Sequence, residues 1–196
     1  MKYKFFKKIK NLPKRDLLSE LNKMLEEKTI AWEKRDYQIC INSMQGHEDN
    51  IYLGSGSLMY DWQNGEEIFD DQGNTIKFIP KKYDTPLRES DFTTICTVFK
   101  NTVFEEVYNA VSNVYKIGRM RLMLMRPKTC LSWHNDYDTR LHYPIETNIG
   151  CQMVIKNEVL HMPKYTWWQT DTSHPHTAFN ASTIPRIHLV TSILKD

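Results

Sequence analysis

No apolar run in this chain approaches the length of a membrane span, and no charged-then-apolar leader opens it, so neither a spanning nor a secreted protein is expected. Cysteine is sparse. Cys40, Cys96, Cys130 and Cys151 are widely separated with no Cys-x-x-Cys pair, which argues against a zinc knuckle and for free thiols in a reducing compartment. Gly54-Ser-Gly-Ser57 is glycine-rich, yet no Gly-Lys-Ser/Thr follows it and no helix starts there, so it is a loop and not a phosphate cradle. Internal repeats and low-complexity linkers are absent as well. With 40% hydrophobic and 26% charged residues over 196 positions, the expectation is one soluble, cytoplasmic domain with a substantial core.

Acid is missing from residues 1–15, which hold Lys2, Lys4, Lys7, Lys8, Lys10, Lys14 and Arg15. Since the whole chain is only +2, the remainder is acidic. A basic arm on an acidic body can contact nucleic acid or another anionic surface. The competing reading is a solvated terminus whose Phe5, Phe6 and Ile9 pack on the body.

Residues 13–35 read as a helix, with Pro13 in its first turn and Leu17, Leu18, Leu21, Met24 and Leu25 at helical spacing. Tyr37–Ile41 alternates like a strand. Residues 58–92 are weakly patterned, with a short strand at 75–79, and 91–99 reads as a strand. Phe104, Val107, Tyr108, Val111, Val114 and Tyr115 predict an amphipathic helix over 102–116, ended by Gly118. Beyond it come short strands with regular turn signals: 119–125, 129–134, 140–147, 151–155, 159–162, 165–169, 176–180 and 186–194. The expected architecture is mainly β with packed N-terminal helices, a sandwich or jelly roll. Residues 1–116 form a helical and mixed segment suited to selecting substrate, and 117–196 a catalytic core within one compact domain.

The chemistry concentrates between Trp133 and His188. His134 and Asp136 are two apart, so in a strand they share a face. A histidine from a distant strand would complete two imidazoles and one carboxylate, a set that suits non-haem Fe(II) and leaves coordination positions open. A structural zinc site would instead fill every position, usually with thiolates. The distal ligand is His174 or His176, which are two apart. His176 is preferred for its continuation His-Thr-x-x-Asn180 and its ten-residue step to Arg186. Arg186 can grip a carboxylate through its guanidinium fork, which lysine cannot reproduce. Arg140 and His142 share a strand face and suit further carboxylate contacts, although a bridge from Arg140 to Glu146 or Asp138 is the structural alternative. His174, Asn180, Trp133 and His188 are candidates for supporting or substrate contacts. Trp167 and Trp168 are explained equally by core packing.

The segments Leu131-Ser-Trp-His-Asn-Asp136, Arg140-Leu-His-Tyr-Pro-Ile-Glu-Thr-Asn148, His176-Thr-Ala-Phe-Asn180 and Arg186-Ile-His-Leu-Val190 together resemble the aspartyl/asparaginyl β-hydroxylase family of Fe(II)- and 2-oxoglutarate-dependent oxygenases. The resemblance spans about residues 117–194. It implies a double-stranded β-helix, the cupin-like jelly roll, and oxidative decarboxylation of 2-oxoglutarate to succinate coupled to hydroxylation by O2, with ascorbate as a supporting reductant. By position it makes His134, Asp136 and His176 the metal ligands, and Arg186 with Arg140 and His142 the cosubstrate contacts, with no catalytic group beyond the metal centre. It ranks small-molecule or peptide substrates (aspartyl, asparaginyl or prolyl) first. Two rivals stand beside it: a non-catalytic metal-binding or sensor module, and an oxygenase acting on nucleic acid through the basic arm. Arg126-Pro-Lys128 departs from the Pro-Gly of many relatives, a matter of the turn alone.

Overall fold

The computed structural model of the protein describes residues 3–195; Lys2 of the basic arm lies outside the described residues. In chain order the elements are β1 (Phe6–Ile9), α1 (Leu17–Glu26), β2 (Gln38–Cys40), β3 (Asn42–Ser43), β4 (Tyr60–Phe69), β5 (Thr75–Lys82), β6 (Thr94–Ile95) and α2 (Val103–Ser112). They continue with β7 (Ile117–Met125), β8 (Thr129–Cys130), β9 (Thr139–Glu146), β10 (Cys151–Ile155), β11 (Glu158–Leu160), β12 (Trp167–Thr170), β13 (His176–Asn180) and β14 (Arg186–Ile193). One antiparallel sheet has the order β1-β12-β9-β14-β7-β2 and a second has β11-β10-β13-β8. From β7 onward the chain passes back and forth between the two sheets, so eight strands make a jelly-roll-like fold, mainly β with two α-helices.

The period of two on the central strands decides what fills the barrel. Met120 and Leu122 of β7, Leu141, Tyr143 and Ile145 of β9, and Ile187 and Leu189 of β14 join one apolar cluster with Leu17, Leu21 and Met24 of α1 and Phe104, Val107 and Val111 of α2. The main core therefore lies on the helix-covered face of the large sheet. The alternate residues Arg119, Arg121, Arg140, His142, Arg186 and His188 are also buried and belong to the opposite face, toward the small sheet. A second apolar cluster, including Phe5, Phe6, Met125, Met153, Ile155 and Trp168, fills part of the space between the sheets. The basic arm is thus a strand: β1 pairs with β12, and Phe5, Phe6 and Ile9 are buried while Lys7, Lys8 and Lys10 are exposed.

The N-terminal half departs from its sequence pattern in four places. The first helix covers 17–26 and not 13–35. Asp16 caps its start by accepting from the Leu18 and Ser19 N–H groups. Lys28 ends it in a left-handed conformation, φ 57°, with Thr29 N–H donating to Met24 O at 3.0 Å and Lys28 N–H to Leu25 O at 3.1 Å. Residues 91–99 contain only the two-residue β6 between two 3₁₀ turns, Glu89–Asp91 and Thr97–Phe99. The weakly patterned stretch holds a long hairpin, β4 with β5, whose largely exposed faces leave little apolar alternation to read. Gly118 does not stop α2, which ends at Ser112; it lies in β7, where a Cβ would sit 2.8 Å from Glu89 Cβ and 2.9 Å from Glu89 O.

Candidate metal and anion site

The segment after β8 runs beside β13 and brings the histidines together. His134 and His176 exchange both backbone hydrogen bonds, at 3.1 and 2.9 Å, and Asp136 N–H donates to Thr172 O at 2.8 Å. Three side chains converge as a result: one ligand atom each from His134, Asp136 and His176 lies within 4.8 Å of the others. The imidazole centroids are 4.2 Å apart, and His176 Nε2 is 3.8 Å from Asp136 Oδ2.

Backbone carbonyls set the tautomers. His134 Nδ1 is 2.8 Å from Ser132 O and His176 Nδ1 is 3.0 Å from His174 O. Each Nδ1 therefore carries the proton and donates it, and each Nε2 is left with a lone pair for the centre of the trio. Burial, with His134 nearby, lowers the pKa of His176 and so favours the neutral, ligating ring. For Asp136 burial pushes upward, but the charge and hydrogen bond of Arg140 outweigh it and hold the carboxyl below its usual range. Two neutral imidazoles and one carboxylate are the donor set that a divalent iron-type cation takes.

On the inner face of the large sheet, in β14 and β9, is a cationic station without an acid. Arg186 is buried and donates from Nη2 to His188 Nδ1 at 2.9 Å; among the described residues no carboxylate pairs with it. Burial lowers its pKa to about 10. His142 stands 5.7 Å from His188, ring to ring. Neither ring nitrogen of His142 has a partner, nor does His188 Nε2. Burial first, then the charge of Arg186, push both histidines well below the ordinary imidazole range, so both rings are neutral. A buried guanidinium and unpaired ring N–H groups fit an anion with acceptor oxygens.

Arg140 shares a strand face with His142, yet its head group is engaged elsewhere. Its Nε is 3.1 Å from Asp136 Oδ2, its Nη1 is 3.1 Å from Glu89 Oε1, and Nη1 also donates to Ser192 Oγ. Neither acid considered from the sequence pairs with it. Glu146 sits at the far end of β9, about 20 Å away at strand rise, and pairs with Lys164 at 3.2 Å. Asp138 contributes only a long-range charge effect.

Of the remaining candidates, His174 lies apart from the trio, with Nδ1 3.3 Å from Asp171 Oδ2 and its ring against Phe5. Its backbone carbonyl is what orients His176. Asn180 is buried at a strand end, donating to Met125 O and Ile184 O and accepting from Ser182. Trp133 is 56% exposed. Trp167 belongs to the main core, and Trp168 to the second cluster.

Glu89, Arg119, Arg121 and Ser192 were missed from the sequence. Arg119 donates to Glu89 from Nε at 3.1 Å, from Nη2 at 2.9 Å and from its backbone N–H at 3.0 Å. Arg121 has only neutral partners in contact, Gln38 Oε1 at 2.7 Å and Gly56 O at 3.2 Å. The alternation Arg119-Met-Arg121-Leu carried the signal for these two: two cations on one face of an apolar strand. Glu89 also stands in the wall of a cleft of about 630 Å³. That cleft lies between Leu58, Met59 and Leu87 on one side and Lys116, Asp138 and Leu194, at the ends of β7, β9 and β14, on the other.

The sequence profile described as aspartyl/asparaginyl beta-hydroxylase matches residues 61–196. L-proline cis-4-hydroxylase of Rhizobium meliloti (strain 1021) is 33% identical over 76 residues, 36% of this chain, and the match spans only 27% of that protein. Among solved structures, an oxidoreductase of the 2OG-Fe(II) oxygenase family from Burkholderia pseudomallei aligns over 95% of this chain and 82% of its own, with TM-score 0.48 and 14% identity. AviO1 from Streptomyces viridochromogenes Tue57 aligns over 97% and 90%, with TM-score 0.47 and 13% identity. With its profile matched from β4 to the C-terminal residue, the chain belongs to the aspartyl/asparaginyl beta-hydroxylase family.

Proposed function

We propose that the protein is an Fe(II)- and 2-oxoglutarate-dependent hydroxylase acting on an amino acid or on a side chain within a peptide. The observation that carries this reading is the pairing of two stations, one on each sheet. One is the trio His134, Asp136 and His176; the other is the acid-free guanidinium of Arg186. The trio would hold Fe(II), with both histidines binding through Nε2. Arg186 would take the far carboxylate of 2-oxoglutarate in a two-point fork, with His188 and His142 supplying ring N–H donors beside it. When bound, iron and 2-oxoglutarate with O2 supply the oxidising chemistry, and ascorbate would keep the iron reduced. The chain's own part is to orient: the carbonyls of Ser132 and His174 fix the histidine tautomers, and the buried wall keeps bulk water from the cosubstrate.

Substrate selection falls to residues 1–116 acting on the core 117–196, since the cleft beside Asp138 is walled on one side by Leu58, Met59 and Leu87. The partly matching relative acts on L-proline by its name, which puts proline first among substrates to test. A cytoplasmic location is part of the proposal; among the described residues no helix is long and apolar enough to cross a membrane. The test is to incubate the protein with Fe(II), ascorbate and 2-oxoglutarate and follow succinate, with and without L-proline and short aspartyl, asparaginyl and prolyl peptides. Metal binding that is indifferent to 2-oxoglutarate would favour a binding-only module, and salt-sensitive RNA or DNA binding lost on deleting residues 1–15 would favour a nucleic-acid substrate.

A further inference from the structure

A carboxylate that coordinates a metal has freedom to rotate unless a hydrogen-bonding partner holds it, and such partners tune metal affinity. Here the partner is Arg140, whose Nε is 3.1 Å from Asp136 Oδ2. An arginine holds a fixed direction only if the rest of its fork is held too, and Arg140 Nη1 meets Glu89 Oε1 at 3.1 Å. Glu89 is itself buried and accepts three hydrogen bonds from Arg119, one of them from the backbone of β7. Gly118 makes this approach possible, because a Cβ at that position would sit 2.8 Å from Glu89 Cβ and 2.9 Å from Glu89 O. The carboxylate is thereby set against the strand with both oxygens occupied.

We propose that Glu89, from the 3₁₀ turn that precedes the barrel, is a positioning residue for the metal site, acting through Arg140 to hold the Asp136 carboxylate in its ligating orientation. This rests on the reading of His134, Asp136 and His176 as the metal ligands. It gives the segment before the barrel a direct part in the metal centre. It also gives Arg140 a role apart from the Arg186 station: its fork is spent between two acids. Arg119 anchors the far side of Glu89, so the chain of contacts runs from the β7 backbone through Glu89 and Arg140 to Asp136.

The test uses Co(II) alone as the probe, titrated into the full-length protein without oxygen or 2-oxoglutarate and read as an affinity. Loss of a partner that orients a metal ligand costs about 10–100-fold in affinity. Glu89→Gln is expected at about the lower end of that range, and Arg140→Lys, which keeps the charge but lacks the planar fork that meets Asp136 and Glu89 through separate nitrogens, within it. Gly118→Ala changes no charge but displaces Glu89, and it should weaken Co(II) binding in the same direction; a through-space effect of the Glu89 charge predicts no change there. Glu89→Gln should add little in an Arg140→Lys background, because the two act in series. Where Glu89→Gln does not fold, Gly118→Ala and Arg140→Lys carry the decision. Folded Glu89→Gln or Gly118→Ala protein that binds Co(II) within about twofold of wild type overturns the proposal. Co(II) binding that survives substitution of His134 and His176 overturns the underlying metal site instead.

Discussion

Replacing Arg186 with methionine should separate a ligand-binding arginine from a structural one, because the two roles predict opposite changes in stability. Arg186 is buried, its one side-chain partner is the neutral His188, and no acid pairs with it among the described residues. Without ligand the fold therefore carries the desolvation of a charge that nothing neutralises, and methionine relieves it while keeping much of the apolar stem. Against this stands the loss of one hydrogen bond to His188 Nδ1, worth about 1–3 kcal/mol if that atom is left unsatisfied. The ligand-free variant should thus be as stable as wild type or more stable by about 1–2 kcal/mol in urea denaturation. Its affinity for 2-oxoglutarate should collapse. Truncating one side of a buried charged pair costs about 2–5 kcal/mol, which is about 30-fold to several thousand-fold in binding. Calorimetric titration of 2-oxoglutarate into Mn(II)-loaded protein reads the second quantity. A variant destabilised by more than about 3 kcal/mol that still binds 2-oxoglutarate like wild type would refute the reasoning, because Arg186 would then be a structural cation.

Other perturbations reach different parts of the molecule. Burial, reinforced by the charge of Glu33, raises the Asp36 carboxyl to about 6. The folded state thus binds that proton more tightly than the unfolded chain, and ionising Asp36 costs stability progressively as pH rises from about 4 to 6. Asp36→Asn should therefore stabilise the protein on the order of 2 kcal/mol at pH 7.5 and little at pH 4, as urea titrations at the two pH values would show. Lys28→Gly, at the left-handed residue closing α1, should raise stability by about 0.5–1 kcal/mol in the same assay. In the cleft, Leu87→Asp should weaken the apparent affinity for whichever substrate stimulates succinate formation by about tenfold or more, leaving 2-oxoglutarate binding intact. Equal effects on both would place the cleft outside the substrate path.

The second half of the chain was far more legible than the first. Its strands are short, bounded by turns and patterned at period two, so His176, and Arg186 with His188, follow from the pattern. The expected strand 129–134 shrinks to β8 (Thr129–Cys130), and His134 and Asp136 lie past it in a segment that bridges β13 at His134. The structure brings His134, Asp136 and His176 together and leaves His174 outside, a choice the two-residue spacing of the histidines could not make. The partner of Arg140 was not legible at all. Glu89 lies in an irregular turn distant in sequence, and its approach depends on the missing side chain of Gly118, which local pattern presents as a helix stop. The β4–β5 hairpin was likewise hidden, since a two-stranded ribbon with mostly exposed faces needs no apolar alternation. Helix α1 was overextended because a periodic stripe carries no mark for a left-handed lysine.

The central claim is that three side chains hold a metal and that Arg186 holds the cosubstrate beside it. The measurement that meets it most directly is binding of 2-oxoglutarate to anaerobic Fe(II)-loaded protein, compared between wild type, His176→Ala and Arg186→Met. The proposed site predicts tight, iron-dependent binding in the wild type. It predicts loss of iron together with 2-oxoglutarate in His176→Ala, and retained iron without 2-oxoglutarate in Arg186→Met. Wild-type protein that binds 2-oxoglutarate equally well without iron, or His176→Ala protein that keeps both, would contradict it.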